Sequence, residues 1–157
     1  IIIAFIALNF SSNFIKKTSV VFSSVSILIL IFFLPAENNN PKTLIEIGEE
    51  WSTERVSQLR FEKRNILLNF TADWCLTCKV NERLVLNSKE FISLVETGKI
   101  AYLVADWTKY DPEITAELEK YKRAGVPLYL YWSEGSDEVK ILPAVLTKSI
   151  LYDNLKL

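Results

Sequence analysis

Two cysteines, Cys75 and Cys78, stand three positions apart in the segment Ala72-Asp73-Trp74-Cys75-Leu76-Thr77-Cys78-Lys79, and the chain has no others. A pair spaced in this way has three readings: half of a zinc site, a redox-active dithiol, or two small buried hydrophobes. Zinc takes about four ligands, usually Cys and His, and this sequence offers no histidine and no third cysteine to complete such a site. The lack of histidine also excludes Ser-His-Asp and Cys-His nucleophile systems within the chain. A dithiol needs no metal or other cofactor, so none is expected.

The elements around the pair favour the dithiol over the buried-hydrophobe reading. Ile66-Leu67-Leu68-Asn69-Phe70 is an apolar run of strand length, the pattern of a central strand covered on both faces. A helix is expected from about Cys75 to Leu86. The first thiol then sits at a helix N-terminus, where unpaired backbone N–H groups and the helix dipole favour its thiolate. Cys75 is accordingly the expected nucleophile. Cys78 lies one turn further in and on the same side, placed to close a disulfide with Cys75 and release a bound partner.

The remaining elements read as one compact α/β domain from about residue 43 to 157. Ser52-Thr53-Glu54 has the form of a helix N-cap followed by an acidic first turn, with Val56 and Leu59 to Phe61 at helical spacing after it. Asn87-Ser88-Lys89-Glu90 resembles a capping box opening a short helix through Val95, closed near Gly98. Ile100 to Ala105 is a second buried strand. Asp111-Pro112-Glu113 gives an N-cap, a proline at the first helical position and an acid after it, and Ile114, Leu118 and Tyr121 share one face. Pro127 to Trp132 and Val139 to Leu142 are expected as an antiparallel strand pair, and Thr147 to Leu157 as a final helix.

Ahead of this domain lies a different kind of sequence. Thr18 to Leu34 carries no charge and ends at Pro35. At ~1.5 Å per residue it reaches about 25 Å, slightly short of a ~30 Å hydrocarbon core, so a spanning helix would need help from its flanks. A buried core helix is the alternative. Lys16 and Lys17 precede the segment and Ala36-Glu37-Asn38-Asn39-Asn40 follow it, which puts the lysines on the cytoplasmic side and Glu37 outside. Ile1 to Leu8 would be the end of a preceding span. Residues 1–35 therefore read as the C-terminal part of a membrane domain, and 36–42 as a linker. With 18 basic against 19 acidic residues, no charge excess points to nucleic acid.

Through Ala72-Asp73-Trp74-Cys75-Leu76-Thr77-Cys78-Lys79 after a strand, and Gly125-Val126-Pro127 before another, the sequence resembles the thioredoxin superfamily. That resemblance implies a central mixed β-sheet flanked by helices. It also implies that Pro127, with Val126 before it, forms a cis peptide against the active-site sulfurs. A narrower resemblance is to the C-terminal domain of the transmembrane disulfide-interchange reductases of bacteria, the DsbD family, including copper-sensitivity-suppressor proteins of similar build. It is carried by Asn69-Phe70-Thr71-Ala72-Asp73-Trp74-Cys75, Cys78-Lys79-Val80-Asn81-Glu82, Ala105-Asp106-Trp107-Thr108, Asp111-Pro112-Glu113-Ile114 and Gly125-Val126-Pro127-Leu128-Tyr129. The resemblance implies a domain on the periplasmic face of the inner membrane. Electrons would pass from cytoplasmic thioredoxin through membrane-domain cysteines of the same protein to Cys75 and Cys78, and on to periplasmic disulfide-bearing proteins.

One position departs from the family. Many members have an aspartate six residues before the first cysteine, beneath the pair; here it is Asn69, and an amide cannot take up a proton. Glu82 matches the acidic residue on the family's active-site helix and is the candidate for proton handling and for raising the thiol pKa. Read alone, it is equally a solvated helix glutamate. Asp73 and Trp74 are expected to shape the approach to Cys75, though each is equally readable as a packing or capping residue. Two other functions compete: a single-span membrane-tethered thioredoxin serving cytochrome c maturation, and a non-catalytic module holding Cu(I) between the two thiolates.

Overall fold

The computed structural model describes residues 47–155. The expected span Thr18 to Leu34, the remnant Ile1 to Leu8 and the 36–42 linker lie outside the described residues. Among the described residues no helix is long and apolar enough to cross a membrane.

The chain runs β1 (Glu49–Glu50), α1 (Thr53–Phe61), β2 (Ile66–Thr71), α2 (Leu76–Asn81), a π-helical turn (Glu82–Leu86), α3 (Lys89–Glu96), β3 (Ala101–Asp106), α4 (Pro112–Lys120), β4 (Leu128–Trp132), β5 (Lys140–Leu142) and α5 (Lys148–Asn154). The five strands form one sheet in the order β1-β3-β2-β4-β5. β1, β3 and β2 are parallel, whereas β4 and β5 run antiparallel. The mixed sheet expected from the sequence is therefore present, with β2 at its centre.

Central position explains the composition of β2, all six of whose residues are buried. Alternation along the strand sends Ile66, Leu68 and Phe70 to one face, where they meet Leu59 of α1 and Ile114 and Leu118 of α4. Leu67 goes to the other, against Val85 and Leu86 of the π turn, Phe91 of α3 and Leu151 of α5. Asn69 and Thr71 share that second face by the same alternation, so two polar side chains lie on the face that α2 and the π turn cover.

The helix starts follow local chemistry. Ser52 accepts the Arg55 N–H at 3.0 Å, and Asp111 accepts those of Glu113 and Ile114 at 2.9 and 3.1 Å, with Pro112 in the first turn. Such caps are worth about 1 kcal/mol each. Thr147 caps α5 in the same way through Ile150.

The structure differs from the sequence reading in four places. The strand β1 was not expected: two glutamates carry no apolar alternation, and the segment is a strand only because it pairs with Leu103 and Val104 of β3. The helix expected from Cys75 to Leu86 is α-helical only through Asn81 and then widens into the π turn. The cap of α3 is Ser88, whose hydroxyl accepts the Phe91 N–H at 3.4 Å, and not Asn87, whose N–H closes the π turn on the Glu82 carbonyl at 2.7 Å. Finally, Phe61 ends α1 pointing into solvent, while Leu59 carries that helix's burial.

Candidate active site

Cys75 and Cys78 are joined in a disulfide. Cys75 is the N-cap of α2, and its Sγ accepts the Cys78 N–H at 3.2 Å. The sulfur that sequence reasoning named as nucleophile thus sits where an otherwise unpaired helix N–H points at it. Its residue is 6% exposed and that of Cys78 fully enclosed. Cys75 is thus the more accessible residue of the pair.

The loop that carries Cys75 is pinned from both sides. The Cys75 N–H bonds the Ala72 carbonyl at 3.1 Å, and the Trp107 N–H bonds that of Thr71 at 2.8 Å. The Thr108 hydroxyl accepts the Asp73 N–H at 2.9 Å and itself donates to the Asp106 carboxylate. Trp74, half exposed, donates its indole N–H to the Thr108 carbonyl and stacks on Tyr110, with ring centres 5.6 Å apart. Trp107 completes this aromatic group beneath Trp74. Trp74 was expected at this surface and Tyr110, a loop residue with a φ of 56°, was not.

Val126 packs against Ala72, Cys75 and Cys78. The Val126-Pro127 peptide is cis, as the resemblance implied. Pro127 itself is half-buried and leads directly into β4.

Asn69 is fully buried and donates from Nδ2 to the Tyr102 hydroxyl at 2.9 Å. Its Oδ1 has no hydrogen-bond partner. Burial holds the Tyr102 phenol well above its ordinary range, so the hydroxyl that meets Asn69 is neutral. No charge lies at this position.

Glu82 is mostly buried, not solvated. The Thr71 hydroxyl donates to its Oε1 at 2.6 Å. Lys79 reaches its Oε2 at 3.3 Å and the Asp73 carboxylate at 3.0 Å. Burial tends to lower the Lys79 pKa, and the hydrogen bonds and charges of Asp73 and Glu82 outweigh it to raise the value. Glu82 stands four residues after Cys78, one turn along the same side of the helix. Its carboxylate forms part of the wall of a cavity of about 560 Å³ shared with Thr71, Asp73, Lys79 and Tyr102.

Asn81, a residue the sequence motifs give no role of its own, locks the active-site helix to the far loop. Its Nδ2 donates to the Tyr129 hydroxyl at 3.0 Å and the Ala144 carbonyl at 2.8 Å, and its Oδ1 accepts the Leu146 N–H at 3.1 Å. A signal existed: Cys78, Asn81 and Val85 follow a buried helical stripe, and a polar residue in such a stripe implies buried partners. Thr71, one step of strand alternation from Asn69, carried a similar signal.

The chain matches the thioredoxin-like family over residues 48–133, more than half its length. It belongs to that family. The thiol:disulfide interchange protein DsbD of Haemophilus influenzae strain PittGG is 26% identical over 107 residues, covering 67% of this chain and 18% of that protein. DsbD 1 of Pseudomonas aeruginosa is 31% identical over 83 residues, covering 53% and 14%. The chain thus spans less than a fifth of the curated relatives it matches. In fold it is similar to the C-terminal domain of Neisseria meningitidis DsbD in its reduced form, with TM-score 0.51, 23% identity, and coverage of 66% of this chain and 95% of that one. A thioredoxin from Thermus thermophilus gives TM-score 0.55 at 13% identity, covering 69% and 85%. Both share the thioredoxin-like arrangement of sheet and helices.

Proposed function

We propose that the domain is a protein-disulfide reductase that exchanges electrons through Cys75 and Cys78. The observation that carries this reading is the disulfide at the start of α2, with a helix N–H on Cys75 Sγ and Val126 of the cis peptide packed against both cysteines. The kinship with interchange proteins supports it.

In the reduced domain the Cys75 thiolate attacks one sulfur of a partner disulfide. The partner's S–S bond breaks, its other sulfur leaves as a thiolate, and a Cys75–partner disulfide forms. Cys78 then loses its proton and attacks Cys75 Sγ, releasing the second partner sulfur and closing the Cys75–Cys78 bond. Two electrons pass to the partner, and the protons follow to its thiolates. Glu82, one turn beyond Cys78, is the carboxylate placed to take the Cys78 proton. Asp73, Trp74, Val126 and Pro127 form the surface that a partner meets, and Asn69 lies beneath it without charge.

Residues 43–157 form this domain, tethered by 36–42 to a membrane part in residues 1–35. The charge-free run Thr18 to Leu34 behind Lys16 and Lys17 supports a position on the periplasmic face of a bacterial inner membrane. Membrane-domain cysteines, with cytoplasmic thioredoxin behind them, would supply electrons, and periplasmic disulfide proteins, those of cytochrome c maturation among them, would receive them. The pair itself carries the electrons, so no further cofactor is invoked.

The direct test reduces the full chain, removes the reductant and adds insulin as a protein disulfide. One disulfide should be reduced per domain, and Cys75→Ser should abolish the transfer; a reduced pair inert toward insulin and other protein disulfides refutes the reading. Topology is tested separately with protease on intact spheroplasts. Digestion of the domain is expected, and protection until lysis rules out the periplasmic placement.

A further inference from the structure

Both oxygens of Glu82 are held, one by a neutral group and one by a cation. The neutral one is Thr71, 5% exposed at the end of β2, whose hydroxyl reaches Oε1 at 2.6 Å. The cation is Lys79, which reaches Oε2 at 3.3 Å while anchored on Asp73. With the amide of Asn69 in the buried position, Glu82 is the negative charge nearest along the helix to Cys78. Where that carboxylate points consequently matters more here than it would beside a second buried acid.

From the cavity that Glu82 helps to line, it faces Asp73 and Lys79, Glu50 of β1, and the Asp106 carboxylate and Tyr102 phenol of β3. Asp106 is turned to Thr108, Asp73 to Lys79, and Tyr102 to Asn69. None of these three bonds holds Glu82 toward the sheet. Without Thr71 only Lys79 would restrain the carboxylate, and it would draw it outward, toward Asp73 and the cavity.

We propose that Thr71 is a positioning residue for the redox pair: its hydroxyl holds the Glu82 carboxylate against the strand, and through that charge sets the pH at which Cys75 becomes reactive. This rests on the dithiol reading of Cys75 and Cys78, and it adds the last residue of β2 to a site that also holds Asn69 of that strand, the active-site helix, its loop and the cis-proline turn. A hydroxyl carries no charge of its own, so it can influence the thiolate only through what it holds. A fixed carboxylate near the thiols disfavours the thiolate, and one swung toward Lys79 and solvent does so less.

The test is the pH dependence of Cys75 alkylation by iodoacetamide in the reduced full chain, read by mass spectrometry at that residue. It requires no protein partner, so failure to reduce insulin and failure of this inference are separate outcomes. Thr71→Val should lower the alkylation midpoint by about half a pH unit, in the direction of Glu82→Gln, which removes the charge outright. Thr71→Ser, which keeps the hydroxyl, should retain the parent midpoint. In the Glu82→Gln background, Thr71→Val should add nothing. The proposal fails if Thr71→Val keeps the parent midpoint while Glu82→Gln lowers it, if Val and Ser shift it alike, if Glu82→Gln itself shifts nothing, or if Thr71→Val shifts it as far without Glu82 as with it.

Discussion

The backbone N–H of Cys78 points at the Sγ of Cys75 from 3.2 Å. One residue of the pair therefore helps to solvate the other, and the direction of that bond makes the two sulfurs unequal. Charge on Cys75 is met by a helix N–H, whereas Cys78 is enclosed with 0% exposure and accepts no such bond. Cys78→Ser should accordingly trap a mixed disulfide between Cys75 and a protein substrate, because attack proceeds and resolution is lost. Cys75→Ser should trap little. Non-reducing gels of the two variants mixed with oxidised insulin check this, and a reversed pattern would assign the nucleophile to Cys78.

Asn81 ties this geometry to the rest of the fold. Replacing it by Ala leaves the buried Leu146 N–H without its partner, and the Ala144 carbonyl and Tyr129 hydroxyl without the donor they share. Unpaired buried groups of this kind cost about 1–3 kcal/mol each. A loss of about 2–4 kcal/mol in urea unfolding is expected for Asn81→Ala, well above that of an exposed helix position such as Arg83→Ala. Equal losses for the two would mean that the 144–146 loop is held by its other contacts.

Much of this was legible in the sequence, and the limits have physical causes. The strand at Ile66, the caps at Ser52 and Asp111 and the cysteine pair at a helix start are local signals, written in adjacent residues. The cis peptide at Pro127 was legible only through resemblance, since proline alone does not choose its isomer. β1 could not be read, because a polar two-residue strand exists only through its pairing with β3. Glu82 was equally readable as a solvated helix residue. What distinguishes it is Thr71, eleven positions earlier and adjacent only after β2 and the active-site helix are laid together.

Alkaline pH should weaken the fold through the same buried layer. Burial pushes the Tyr129 phenol up to about 12, against 10.0 for a free phenol, with the hydrogen bond from Asn81 opposing the rise. Below pH ~10 both states are protonated and this group makes no difference to stability. Between about 10 and 12 the unfolded chain releases a proton that the folded one retains, so stability falls as pH rises. The loss approaches about 2–3 kcal/mol, and Tyr102 adds to it in the same direction. Urea midpoints at pH 8, 9.5 and 11 should be level over the first interval and drop over the second. A level response throughout would show the phenols to be accessible.

The amide at Asn69 gives the most pointed prediction. Asn69→Asp places a carboxyl at a fully buried position whose oxygen already lacks a partner. Burial disfavours the charged form, so the new group's folded-state pKa lies above its unfolded value near ~3.9. Below that pH the acid is neutral in both states, and the variant should be about as stable as the parent. As pH rises, the unfolded chain ionises first and stability is lost progressively, by about 1.4 kcal/mol per unit, until the buried group also ionises. Once ionised it adds a negative charge beneath the pair and should raise the pH at which Cys75 alkylates, the opposite of the shift expected for Glu82→Gln. Urea unfolding of oxidised parent and variant at pH 4 and 7.5, with alkylation titrations of the reduced proteins, measures both effects. Matching stability at both pH values, with an unmoved alkylation midpoint, would mean that the carboxylate escapes to solvent and that Asn69 does not lie beneath the pair.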